Sequence, residues 1–185
     1  VASAVSENTL CILPTGLGKT SVAVMVSAYR LQKNMNTKIL VMAPTKPLVE
    51  QHKRSFEKTL KLGLELKVIT GENKPEERTV LYKKSDIIFS TPQTIENDIK
   101  HHILDLKDFS LCVFDEAHRA IGNYAYPFVA KMYVHQSSDP LILALTASPG
   151  SHRYKIEEVK NKLFIKNIEI KTREDEDVKP YVQLV

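Results

Sequence analysis

The chain has 185 residues, 43% of them hydrophobic, and a formal net charge of +4 with an isoelectric point near 8.9. That length suits one globular domain, and that apolar content fills a core without help from disulfides or metals. No stretch approaches the roughly 18 consecutive apolar residues of a membrane span, and the amino terminus has neither the basic region nor the apolar block of a secretion signal.

The charge fits a polyanionic partner without requiring one. Cys11 and Cys112 sit in separate apolar runs, without CxxC spacing or clustered histidines. That is the pattern of buried, reduced thiols, and it points to a cytoplasmic, reducing compartment.

Along the chain, short apolar runs alternate with amphipathic stretches, the rhythm of an α/β fold with a mostly parallel sheet of about seven strands and helical crossovers. The first strand is predicted over residues 9–13. Directly after Leu13 come Pro14, Thr15, Gly16, Leu17, Gly18, Lys19 and Thr20, and then a helix over 19–32. Strand, glycine-containing turn and helix form the context of a phosphate-binding loop. The glycines let successive N–H groups turn toward a β-phosphate, and the helix adds the positive end of its dipole. Lys19 supplies a charge for the β- and γ-phosphates of ATP, and the Thr20 hydroxyl is a ligand for Mg²⁺. Leu13 stands where the full G-x-x-x-x-G-K-T pattern has its first glycine.

A second strand over 38–43 is followed by Thr45, Lys46 and Pro47 and a helix over 46–60. A third covers 65–69, with Thr70, Gly71 and Glu72 behind it, and a helix over 75–84 opens with Pro75, Glu76 and Glu77 as a helix start should. A fourth strand over 86–90 delivers Thr91, Gln93 and Thr94. The loops after the second and fourth strands lead into helices at the carboxyl-terminal edge of the sheet, where such folds bind ligands. Their hydroxyls, Lys46 and backbone N–H groups suit the phosphates of a nucleic acid, held without reading of bases. The same residues could instead serve only as helix caps and turns. His101 and His102 lack a third ligand and read as solvated.

The fifth strand, over 111–114, brings Asp115, Glu116, Ala117 and His118 to that edge. Asp115 is placed to hold Mg²⁺ through water, and Glu116 to orient the water that attacks the γ-phosphate. His118 either caps a turn or joins Thr146 and Ser148, beyond the sixth strand at 141–145, in a bridge between the nucleotide and whatever the domain grips. Tyr124 and Tyr126 read as packing against the sheet. Helices are expected over 126–135 and 154–163, and a seventh strand over 167–171. The acidic run after it reads as a linker, giving a domain over 1–172 and a linker over 173–185 that leads toward a second half of a longer protein.

In order, Pro14 to Thr20, Ala43 to Leu48, Thr91 to Thr94, Asp115 to His118 and Thr146 to Ser148 resemble motifs I, Ia, Ib, II and III of superfamily 2 DEAH-type helicases, and the departure at Leu13 is typical of that superfamily. The segments FDEAHRAIGNYAY, TPQTIEND and LTASPGS more closely resemble the archaeal Hef and Fanconi anaemia M helicases. The resemblance implies a first RecA-like domain, ATP and Mg²⁺ as cofactors, forked or branched DNA as partner, and a second RecA-like domain. An RNA-directed enzyme of the same superfamily remains the alternative. A GTPase is disfavoured because no Asn-Lys-x-Asp motif is present, and a kinase because nothing suggests an acceptor pocket or lid. A vestigial, non-catalytic module is disfavoured because Lys19, Thr20, Asp115 and Glu116 are all intact. No QxxGRxGR arginine-finger motif occurs among the 185 residues.

Overall fold

Seven apolar runs become seven strands in the computed structural model, which describes residues 1–60, 63–122, 124–147, 153–172 and 175. In chain order the elements are β1 (Thr9–Ile12), α1 (Lys19–Lys33), β2 (Lys38–Met42), α2 (Lys46–Thr59), β3 (Leu66–Ile69), α3 (Pro75–Lys84), β4 (Ile87–Ser90), α4 (Pro92–Lys100), β5 (Phe109–Phe114), α5 (Ala125–Gln136), β6 (Ile142–Thr146), α6 (Arg153–Lys162) and β7 (Asn167–Ile170). Single 3-10 turns cover Ser3–Val5 and Ala117–Arg119. The predicted linker lies outside the described residues, Asp175 excepted.

The strands form one sheet in the order β3-β4-β2-β5-β6-β1-β7, and every pairing is parallel. Parallel strands buried on both faces need apolar residues at successive positions, which is why they are visible as unbroken runs. Alternate residues feed two cores. Cys11, Val41, Phe89, Val113 and Leu143 face α1 and α2, meeting Ala23, Val26, Val49 and Phe56. Leu10, Leu40, Cys112, Phe114 and Ala144 face the opposite way, onto Ile95, Tyr126, Tyr133 and Leu163. Both cysteines are free and buried, and burial pushes the Cys11 thiol up to about 11.

Two boundaries differ from the sequence expectation for physical reasons. β5 begins two residues early, at Phe109, because Phe109 is a core residue and pairs with Lys38 across a register shift. The helix after β4 begins at Pro92, so Gln93 and Thr94 lie in its first turn and not in a loop. Buried between α3 and α4, Arg78 donates from Nε and Nη2 to the two oxygens of Asp98 at 2.7 and 2.6 Å, with the Tyr82 hydroxyl donating at 2.7 Å. This bidentate pair locks the two helices that bracket β4.

Candidate active site

β1 and β5 both end at the carboxyl-terminal edge, separated only by β6, so the glycine loop and the acidic turn stand two strands apart. Between them lies a cleft of about 390 Å³ lined by Thr15, Gly16, Gly18, Lys19, Thr20, Asp115 and Glu116, with Leu48, Gln51 and His52 of α2 as its third wall. Gly16 and Gly18 have φ of 85° and 86°, left-handed values that favour glycine and let the chain fold back on itself. Leu17 N–H donates to Pro14 O at 3.2 Å, and no side chain caps α1, so its first-turn N–H groups stay open toward the cleft. Leu13 is a core residue whose N–H donates to Thr146 O at 3.0 Å; it anchors the loop from below.

Lys19 Nζ sits 3.7 Å from Glu116 Oε1, and Glu116 Oε2 lies 3.3 Å from His118 Nδ1. His118 Nδ1 is also 3.0 Å from the buried Thr146 hydroxyl, so the structure brings these two together. Ser148, expected beside them, lies outside the described residues. Glu116 itself has φ 51°. Of the other three non-glycine residues with positive φ, His102 and Phe164 close helices, where such backbone is common, and Asn36 lies in the turn before β2; Glu116 follows a strand.

Asp115 is gripped from both faces of the sheet. Its N–H donates to Met42 O at 2.9 Å, and its carbonyl accepts from the Tyr126 hydroxyl of α5 at 2.6 Å. Burial raises the Tyr126 phenol well above its ordinary range, which keeps it a donor. From the other face, His52 Nε2 of α2 lies 2.7 Å from Asp115 Oδ2. Asp115 Oδ1 and His52 Nδ1 are buried without a hydrogen-bond partner. Sequence reasoning missed His52, Gln51 and the anchoring role of Tyr126. One signal was available: His52 interrupts the apolar stripe Val49 to Phe56 on the buried face of α2.

The donor set fits Mg²⁺ delivered with a nucleotide. No group of three or more His, Cys, Asp or Glu that could hold a metal alone occurs among the described residues. Mg²⁺ normally takes one or two protein oxygens and completes its shell with phosphate and water. Asp115, with one carboxylate oxygen unused, and the Thr20 hydroxyl supply that number.

The nucleic-acid candidates lie on the same edge. Thr45 and Thr91 are the residues preceding α2 and α4; both have extended backbone, and neither side chain caps its helix. Thr45, Lys46, Pro47 and Gln93 are exposed, whereas Thr94 is 8% exposed and shares a 2.9 Å hydrogen bond with the Thr91 hydroxyl. Lys46 Nζ donates to Glu72 Oε2, an interaction that raises the lysine above its usual range. His101 and His102 are exposed, as expected. No described helix is long and apolar enough to cross a membrane.

Comparison with known proteins agrees with this arrangement. A Methanocaldococcus jannaschii protein whose name gives an ATP-dependent RNA helicase is 45% identical over 186 residues, covering all of this chain and 23% of that protein. The ATP-dependent DNA helicase MPH1 of Vanderwaltozyma polyspora is 41% identical over 99% of this chain and 18% of its own length. The crystal structure of the Pyrococcus furiosus Hef helicase domain superposes with a TM-score of 0.92 at 50% identity, over 97% of this chain and 38% of that one, which identifies the fold as RecA-like. The chain thus spans about a fifth of the length of these two curated relatives. With the DEAD/DEAH box helicase family matching residues 1–156, the chain belongs to that family.

Proposed function

We propose that this chain is the ATP-binding domain of an ATP-dependent DNA helicase or translocase acting on forked or branched DNA. The observation that carries the reading is the single cleft in which an open glycine loop, Lys19, Thr20, Asp115 and Glu116 converge. Backbone N–H groups of residues 15–20 hold the phosphates, and Lys19 adds its charge to the β- and γ-positions. Thr20 and Asp115 hold Mg²⁺, which when bound neutralises charge developing on the phosphates. Glu116 orients and deprotonates the attacking water. His118, Thr146 and Ser148 transmit the state of the cleft to the gripping surface.

That surface is Thr45, Lys46, Pro47, Thr91, Gln93 and Thr94, contacting phosphates and not bases, so binding is expected to be weak, salt-sensitive and indifferent to sequence. Of its residues Thr94 is the least accessible. Backbone contact alone does not distinguish DNA from RNA, and the names of the similar proteins divide between the two; competition between the two polymers separates them. A second RecA-like domain supplies the arginine finger, and closure of the cleft between the domains on ATP drives the cycle.

Two measurements test this reading. Calorimetric titration should find ATP bound by the wild-type chain and bound about 10- to 100-fold more weakly by Lys19→Ala, the loss of a charged phosphate contact. Unchanged affinity in a folded variant removes the phosphate-loop assignment. Steady-state phosphate release should be near background with or without forked DNA, because an arginine finger is worth about 10³ to 10⁵ in rate. Strong DNA-stimulated turnover by this chain alone would show the two-domain mechanism to be wrong.

A further inference from the structure

We infer that His52 is a positioning residue for Asp115: its imidazole fixes one carboxylate oxygen so that the other is presented to a nucleotide-bound divalent cation. The inference rests on the reading of the cleft as an ATP and Mg²⁺ site and assigns it a residue outside the family's linear motifs.

His52 lies on the sheet-facing side of α2, between Val49 and Phe56, where packing alone calls for an apolar side chain. It is 5% exposed, and so is its partner Asp115. A buried imidazole with one ring nitrogen unpartnered is a poor choice for stability, because a buried polar atom without a hydrogen bond is costly. The unpartnered atom is informative. An N–H at Nδ1 would be a buried donor with no acceptor, whereas a bare lone pair there is the smaller penalty. The proton therefore sits on Nε2, which donates to Asp115 Oδ2 over 2.7 Å.

With Oδ2 engaged, Oδ1 is the oxygen left over, and it has no partner in the protein. The backbone of Asp115 is already clamped, by Met42 O on its N–H and by the Tyr126 hydroxyl on its carbonyl. The remaining freedom is rotation of the carboxylate, and the His52 hydrogen bond removes it. Carboxylates that bind metals are commonly oriented by such outer partners, whose removal typically weakens metal affinity about 10- to 100-fold. A merely structural His–Asp pair would tie α2 to the sheet and leave the response to metal untouched.

The test measures ADP affinity by calorimetry, in Mg²⁺ and again in EDTA, for wild type, His52→Leu and His52→Gln. Glutamine can place its amide nitrogen near the position of Nε2 and donate to Asp115. The gain in affinity conferred by Mg²⁺ should fall about tenfold or more in His52→Leu, with the EDTA value unchanged within about twofold, and should survive in His52→Gln within about threefold. A full Mg²⁺ gain in His52→Leu, a parallel fall in both conditions, or a glutamine variant no better than leucine overturns the inference.

Should the leucine variant not fold, ¹H–¹⁵N spectra of the wild-type imidazoles decide. The His52 proton must reside on Nε2, and its resonance must move on adding ADP with Mg²⁺ but not ADP in EDTA. A proton on Nδ1, or a resonance indifferent to the metal, overturns it. Wild-type nucleotide binding that persists through any of these failures leaves the ATP reading standing, and a wild-type chain that binds no nucleotide overturns both.

Discussion

Arg30, at the amino-terminal edge of the sheet, is 3% exposed and makes three hydrogen bonds: Nε donates to Ser110 O at 2.9 Å, and Nη2 donates to the carbonyl and carboxylate of Asp139 at 2.6 and 2.8 Å. Asp115, at the opposite edge, is about as buried and keeps an oxygen idle. The same contrast extends further. Lys38 closes the end of α3 by donating to Lys83 O and Ser85 O, and the Asn8 side chain ties Phe164 O to Ile142 N. At the carboxyl-terminal edge the starts of α1, α2, α3, α4 and α5 all lack side-chain caps, and Glu116 holds a left-handed backbone. Of the three buried side-chain atoms without a partner among the described residues, two belong to His52 and Asp115. One edge completes its hydrogen bonds within the protein; the other leaves them open, as a surface that awaits a ligand must.

Mutations at the two edges should therefore have separable effects. Arg30→Met keeps the volume of the stem and removes three hydrogen bonds, and it should lower stability in urea unfolding by about 2–3 kcal/mol. Its nucleotide affinity, measured well below the unfolding transition, should match wild type; a parallel loss of affinity would mean that the edges are not independent.

The converse holds at Glu116. A glutamate in the left-handed region is strained by about 1–2 kcal/mol, part of which glycine returns to unfolded-state entropy. Glu116→Gly should therefore raise stability by about 1 kcal/mol in the same unfolding experiment, while abolishing any residual hydrolysis. A destabilised variant would show that Glu116 serves the fold.

The smallest effect is expected at Lys46. Glu72 is exposed and competes with phosphate for the lysine, so Glu72→Gln should tighten binding to single-stranded DNA about two- to fivefold at low salt, an advantage lost as salt rises. Fluorescence anisotropy at two ionic strengths checks it, and equal or weaker binding would remove Lys46 from the phosphate-contacting set.

All seven strands and the two motifs that line the cleft are legible in the sequence because each is a local pattern. A buried parallel strand is a run of apolar residues, and a phosphate loop is a fixed spacing of glycines and lysine after such a run. Tertiary proximity leaves no such trace. His52 and Asp115 are 63 positions apart, and nothing in either segment announces the other. The sequence marks Tyr126 as a packing residue, and it does pack, edge-on to Phe114; that its hydroxyl also holds the Asp115 carbonyl depends on the rotation of α5. The start of α4 was missed because its first turn, Pro92, Gln93 and Thr94, has the composition of a turn and its apolar stripe begins only at Ile95.

Lys19 rests against Glu116, and Lys46 against Glu72. If the two lysines take the roles proposed for them, ligand entry at either place is an ion exchange and not a simple addition: a phosphate competes with an internal carboxylate for the lysine. A chloride or a lone carboxylate offers one negative centre for another and gains little by the swap. A polyphosphate or a nucleic-acid strand brings several at once, so only a polyanion profits from the exchange. In those roles the resting domain would be its own salt form, its paired lysines favouring polyanions over the small anions of the surrounding solution.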